Sequence, residues 1–182
     1  VHIGLMGPAG AGKDTAAGMY FTPRGYRRVA FADMLRMELV GLNPAVPLPS
    51  GVSVPLTVLL DLWSWNRAKR NVPAVRELLQ SHGELRRAED PRYWIRPVEE
   101  QFERANETGV PLVVTDVRTP DEVALVRKYG GRLIYISRHI QRLVHTTETM
   151  VSAADADVEV ENHGSVAELC TALNLAYGHL RS

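Results

Sequence analysis

Gly7-Pro8-Ala9-Gly10-Ala11-Gly12-Lys13 sets three glycines and one lysine at a spacing suited to gripping a chain of phosphates. The run matches the first seven positions of the P-loop pattern. Its glycines let the backbone wrap an anion so that consecutive N–H groups point inward. A helix-compatible stretch begins at Lys13 and would add the positive end of its dipole. Lys13 itself supplies a mobile charge able to follow the β- and γ-phosphates into a transition state. Gly7, Ala9, Gly10, Ala11, Gly12, Lys13, Asp14 and Thr15 are therefore the candidate triphosphate-binding residues. The pattern calls for Ser or Thr after the lysine, as a magnesium ligand, but Asp14 stands there and Thr15 follows. Asp14 can hold the metal directly or through water, because hard cations take oxygen ligands. It can equally be an acid favoured by the helix dipole, and the sequence leaves both open. Magnesium is expected either way, since a triphosphate brings it.

These residues need a strand before them and a helix after them. Val1 to Met6 reads as the strand, and Tyr26 to Phe31 as a second one, after which Asp33 is placed to cap a helix reaching about Val40. Pro44, Pro47, Pro49, Gly51 and Pro55 make the next segment a breaker-rich loop. Helical sequence with Trp63 and Trp65 follows, then a helix opened by Pro73 and another from about Pro91 to Thr108. Val110 to Thr115 has the nearly continuous apolar character of a strand buried on both faces. A helix over Pro120 to Tyr129, a strand over Arg132 to Ile136, a short strand over Val158 to Val160 and a helix over Ser165 to Leu180 complete the chain. Such alternation predicts one three-layer α/β/α domain around a central parallel sheet. Within it, residues 33–108 would form a helical insertion on the acceptor side and residues 137–155 a lid.

Composition narrows the partners. With 21 basic and 21 acidic residues there is no net field to favour a nucleic-acid polymer, so any anion site must be local. No stretch reads as a membrane span, and Val1 opens straight into a strand-like run without a signal peptide's charged segment. The single cysteine, Cys170, lies in the apolar pattern Val166, Leu169, Leu173 and reads as core; one cysteine fits a reducing compartment.

Five segments in order then suggest a family. Gly12-Lys13-Asp14-Thr15 is followed by Phe31-Ala32-Asp33-Met34-Leu35-Arg36 and by Arg76-Glu77-Leu78-Leu79-Gln80 with Gly83, Glu84 and the Trp94 region. Next come Asp116-Val117-Arg118-Thr119-Pro120-Asp121-Glu122, and last His145-Thr146-Thr147-Glu148 with Asn162-His163-Gly164-Ser165. The set resembles the deoxynucleoside monophosphate kinases of bacteriophages. Met34 replaces the usual Pro, Thr147 replaces Ser, and a changed glycine–arginine spacing leaves open which of Arg86 and Arg87 matches the family arginine. The resemblance implies transfer of a phosphoryl group from ATP to a deoxynucleoside monophosphate with Mg²⁺, a cytoplasmic setting (the host's, if phage-encoded) and a possible homodimer.

Phosphoryl transfer needs two anions held in line and their charge neutralised. A phosphate monoester acceptor calls for arginines, whose planar forks grip phosphate with paired hydrogen bonds. Arg36, Arg76, Arg86 and Arg87 are candidates, against the alternative of a solvated helix face, and Gln80 can read a base edge. Trp94 would stack on a base or fill the core. Asp33 would orient the acceptor phosphate or the magnesium shell, unless it is only the helix cap. Asp116 follows a buried strand at its C-terminal end, where α/β sheets bind ligands, and would hold a water of the magnesium shell. Arg118 would contact acceptor phosphate or brace that acid. Arg138 and Arg142, four apart, would line one face of a lid that excludes water and adds charge. His145 and Glu148 would pair across a turn, with Glu148 on the acceptor side. Asn162 and Gly164 fall where nucleotide kinases pack a loop on adenine, although a helix-capping turn at Ser165 would look the same. The alternatives to this activity are another small-molecule P-loop kinase, resembling dephospho-coenzyme A kinase, or a nucleotide-dependent switch. Asp14 speaks against the first, and the absence of an Asn-Lys-x-Asp motif against the second.

Overall fold

The computed structural model describes residues 1–138 and 150–181. They form two compact units, one of Val1–Phe31 with Pro97–Ser182 and one of Ala32–Arg96.

The first unit is built on a five-stranded parallel sheet. Its strands are β1 (Ile3–Met6), β2 (Arg27–Val29), β5 (Leu112–Val114), β6 (Arg132–Ser137) and β7 (Val158–Glu161), in the order β2-β5-β1-β6-β7. β1 lies at the centre, with Gly4 opposite Val114 on one side and Leu133 on the other. Ile3, Leu5, Leu112, Val113, Val114, Ile134 and Ile136 are fully buried, as strands covered on both faces require. Burying each such side chain stabilises the fold by roughly 1.5–3 kcal/mol. Helices cover the sheet of this unit. α1 (Lys13–Ala16) runs on through a π-helical turn at Ala17–Phe21, α6 (Ile95–Thr108) leads into it, and α7 (Pro120–Lys128) and α8 (Val166–Arg181) complete it. Because every strand is parallel, the segments after β1, β5, β6 and β7 all leave from one edge of the sheet. The chain order turns back on itself about β1, which makes that edge a topological switch point.

The second unit holds most of α2 (Phe31–Leu42), a two-stranded antiparallel hairpin of β3 (Ala45–Pro47) and β4 (Ser53–Pro55), and α3 (Leu56–Leu62), α4 (Trp65–Asn71) and α5 (Pro73–Glu89). Leu39, Val46, Leu56, Leu59, Ala68, Val72 and Val75 make its core. Three expectations change here. The proline-rich segment is not a plain loop: its prolines sit at strand ends and edges, where no ladder N–H is needed, and Val46 pairs with Val54. α2 begins at Phe31, so Asp33 stands in its first turn and not ahead of it. The helix expected from Pro91 begins at Ile95, because Asp90 first closes a turn by accepting the Arg92 N–H at 3.0 Å.

Candidate active site

Gly7 and Gly12 make the loop after β1 possible. Gly7 has φ +125°, and a Cβ there would lie 2.1 Å from the Ile136 carbonyl oxygen. Gly12, at φ +107°, has the Asn162 side-chain nitrogen 2.6 Å from where its Cβ would be. No other residue type fits either position. Lys13 is buried and curls back over the loop, its ammonium donating to the carbonyls of Gly7 at 2.6 Å and Pro8 at 2.8 Å. Its charge is thus held against the loop by backbone oxygens. Ala9 and Gly10 are exposed at the loop's crest, Ala11 is buried and Thr15 half-buried. Asp14 points outward with its side chain 70% exposed, and Arg28 approaches it at 3.7 Å.

On the neighbouring strand, Asp116 stands two residues past Val114 and is half-buried. One oxygen accepts the Phe31 N–H at 2.8 Å, so within this unit the acid ties the backbone just past β2 to the end of β5. The turn that carries it is fixed from behind. Thr119 caps α7, and Glu122 returns a carboxylate oxygen to the N–H groups of Arg118 at 2.6 Å and Thr119 at 3.0 Å. Burial pushes the Glu122 carboxyl up to about 7, and the nearby Asp116 charge adds to that shift. Arg118 keeps an exposed side chain while its carbonyl accepts the Met150 N–H at 2.8 Å. Sequence reading named Glu122 only within a segment and gave it no role. The spacing Thr119-Pro120-x-Glu122 was nevertheless a readable capping box.

Arg138 directly follows β6 and is exposed. Arg142, His145 and Glu148 lie outside the described residues. Asn162 is 5% exposed, and its side-chain amide donates to the Ala11 carbonyl at 2.8 Å. Gly164 is exposed beyond it, and Ser165 with Glu168 closes the start of α8. The sheet edge therefore collects residues 7–15, 116–118, 138 and 162 from four separate stretches of chain.

The second unit holds the remaining candidates. Arg36 donates to Asp33 at 3.1 Å. Arg86 is engaged by Glu38, which accepts from its Nε at 2.9 Å and its Nη2 at 2.5 Å, and by Glu89 at 3.2 Å. Burial pushes the Glu38 carboxyl up, but hydrogen bonds from Arg86, His82 and Tyr93 outweigh it and hold the group below the usual carboxylate range. Arg76, Gln80 and Arg87 are exposed at helical spacing along one face of α5. Trp94 is buried, its indole N–H donating to the Gly83 carbonyl at 3.1 Å.

Asp14 and Asp116 offer the carboxylate oxygens that a hard cation prefers. Among the described residues, no group of three or more His, Cys, Asp or Glu side chains could hold a metal alone. That donor set suits Mg²⁺, which keeps waters and phosphate oxygens in its shell and takes few protein ligands.

A parallel sheet with a lysine-bearing glycine loop after its central strand and an acid after the next defines a P-loop kinase. Solved structures agree on the fold. Over 98% of this chain and 96% of its own length, dephospho-CoA kinase from Campylobacter jejuni superposes with a TM-score of 0.55 at 10% identity. Shikimate kinase from Aquifex aeolicus gives 0.50 at 12% identity, over 100% of this chain and 98% of its own. No curated protein sequence matches. The model of the deoxynucleotide monophosphate kinase family matches residues 63–173, more than half of the chain, and the chain belongs to that family. It is an ATP-dependent kinase of nucleoside monophosphates. The matched region begins well after the phosphate loop, so the loop geometry is separate evidence for polyphosphate binding.

Proposed function

We propose that this kinase moves the γ-phosphoryl group of ATP to the 5′-phosphate of a deoxynucleoside monophosphate, giving ADP and the diphosphate, through the residues described above. The observation that carries this reading is the buried Lys13 held over the glycine loop at the switch point of the sheet. Incoming phosphate oxygens would replace the Gly7 and Pro8 carbonyls as acceptors for its ammonium group, with backbone N–H groups around the loop as further donors.

Mg²⁺, carried in on the triphosphate, would neutralise charge on the β- and γ-phosphates. Asp116, fixed by the Phe31 N–H and by the Glu122-braced turn, would hold its hydration shell, and Asp14 is a second oxygen donor. Of the exposed arginines on α5, Arg87 or Arg76 would grip the acceptor phosphate, with Gln80 on the same face toward the base. Arg86 serves differently, as a strut that fixes α5 through Glu38. Trp94 shapes the unit from within, and Asp33 with Arg36 forms a polar pair in the first turn of α2. Arg118 and Arg138 supply further positive charge at the sheet edge.

A coupled assay of ADP release with the four deoxynucleoside monophosphates, and with dephospho-coenzyme A as control, tests the assignment. Turnover with at least one deoxynucleotide and none with the control is expected. Turnover with the control alone would overturn it.

A further inference from the structure

We infer that Asn162 is a positioning residue for the phosphate loop: its side-chain amide pins the Ala11 carbonyl and so aims the Gly12 N–H at the bound triphosphate. This rests on the reading that ATP occupies the loop.

The inference follows from peptide geometry. In a trans peptide the C=O and the next N–H point in opposite directions. The Asn162 amide holds the Ala11 carbonyl at 2.8 Å, so the Gly12 N–H must point away from Asn162. The Ala11 N–H is fixed as well, on the Pro8 carbonyl at 3.2 Å. Both ends of this residue are therefore set before any ligand arrives, which is the preorganisation an anion cradle needs.

Asn162 is itself held. Its backbone N–H donates to the Ser137 carbonyl at 2.8 Å, at the end of β6. The amide fills the space that a side chain at position 12 would take, so the glycine and the asparagine require each other. Packing alone does not explain the amide. Among the described residues its Oδ1 is buried without a hydrogen-bond partner, a cost that an apolar side chain of similar size would avoid. What an apolar residue lacks is the donor to Ala11.

The test compares Asn162→Ala and Asn162→Asp with wild type by calorimetry of Mg·ATP binding to the full chain. Loss of the donor in Asn162→Ala should weaken Mg·ATP about tenfold. The near-isosteric Asn162→Asp separates a donor from a filler. Ionised, it turns an oxygen toward the Ala11 carbonyl and should bind Mg·ATP no better than Asn162→Ala. Protonated, it regains an O–H donor, so its affinity should climb back toward wild type as pH falls. Lys13 on the loop and Glu161 and His163 beside position 162 are the neighbouring charged or titratable groups, so wild type and Asn162→Ala are measured over the same pH series as references. Should Asn162→Ala not fold, Asn162→Asp carries the test. Wild-type affinity in a folded Asn162→Ala, or in Asn162→Asp near pH 8, overturns the inference. A wild-type chain that binds Mg·ATP yet phosphorylates no deoxynucleotide would sink the acceptor assignment and leave this one standing.

Discussion

The phosphate loop and the exposed face of α5 are both assigned to phosphate, yet they are built in contrasting ways. In the loop the donors are backbone N–H groups, their directions set by three left-handed glycines and by Asn162, and the lysine is buried against backbone oxygens. On α5 the donors are long arginine side chains on a regular helix, and their fates differ within a single turn: Arg86 is locked to Glu38 and Glu89 while Arg87 is exposed. An anion site made of backbone is local in sequence and rigid before binding. One made of side chains depends on which neighbours claim each guanidinium, and it must order its arginines when the ligand binds.

The largest effect should come from the loop. Lys13→Met is expected to lower kcat about a thousandfold, roughly 4 kcal/mol of transition-state stabilisation, without loss of melting temperature. A kcat within a few-fold of wild type would break the contrast at its stronger end.

Glu122 extends the backbone-built side, since it fixes the Asp116 turn through two N–H groups. Its carboxyl rises from 4.5 unfolded to about 7 folded, so its contribution to stability is complete below pH 4.5 and is lost as pH rises through 7. The full swing is on the order of 3 kcal/mol. Melting of wild type minus that of Glu122→Gln should therefore fall between about pH 5 and pH 8. A difference that stays level across that range removes the buried-acid account.

Next comes the pair on α5. Arg87→Ala should raise KM for the deoxynucleotide about ten- to a hundredfold, the worth of hydrogen bonds from a charged group, with melting little changed. Arg86→Ala should do the reverse, lowering the melting temperature with a smaller effect on that KM. The opposite pattern would make Arg86 the acceptor arginine and Arg87 a solvated surface residue. Smallest is the coupling of Arg28 to Asp14, an exposed approach, which a double-mutant cycle of Arg28→Ala and Asp14→Ala should put below about 0.5 kcal/mol in thermal melts.

Much of the fold was legible because its signals are local. The glycine–lysine loop, the apolar strands, the Pro73 helix start and the closing helix are each written within a few consecutive residues. The β3–β4 hairpin was not, since its prolines read as breakers until edge pairing shows that they need no ladder bond. Among the site residues, Lys13 and Asp116 could be found from motif and position. Asn162 was found for a different reason, as part of an adenine-side loop, and nothing within several residues of it indicates a bond to Ala11. Glu38 was not found at all, because its partner Arg86 is 48 residues away in the chain.

The amino-acid order alone determined that a phosphate cradle follows the first strand, since only glycines tolerate those backbone angles and a single lysine follows them. It also determined the alternation that makes a parallel sheet. Only the tertiary structure decided which carbonyl Asn162 holds, which of two adjacent arginines is already engaged, and that Glu122 reaches past its capping box to the Arg118 N–H. Backbone conformation is imposed by neighbours in sequence, whereas the partner of a side chain is whatever the folded chain places within hydrogen-bonding reach.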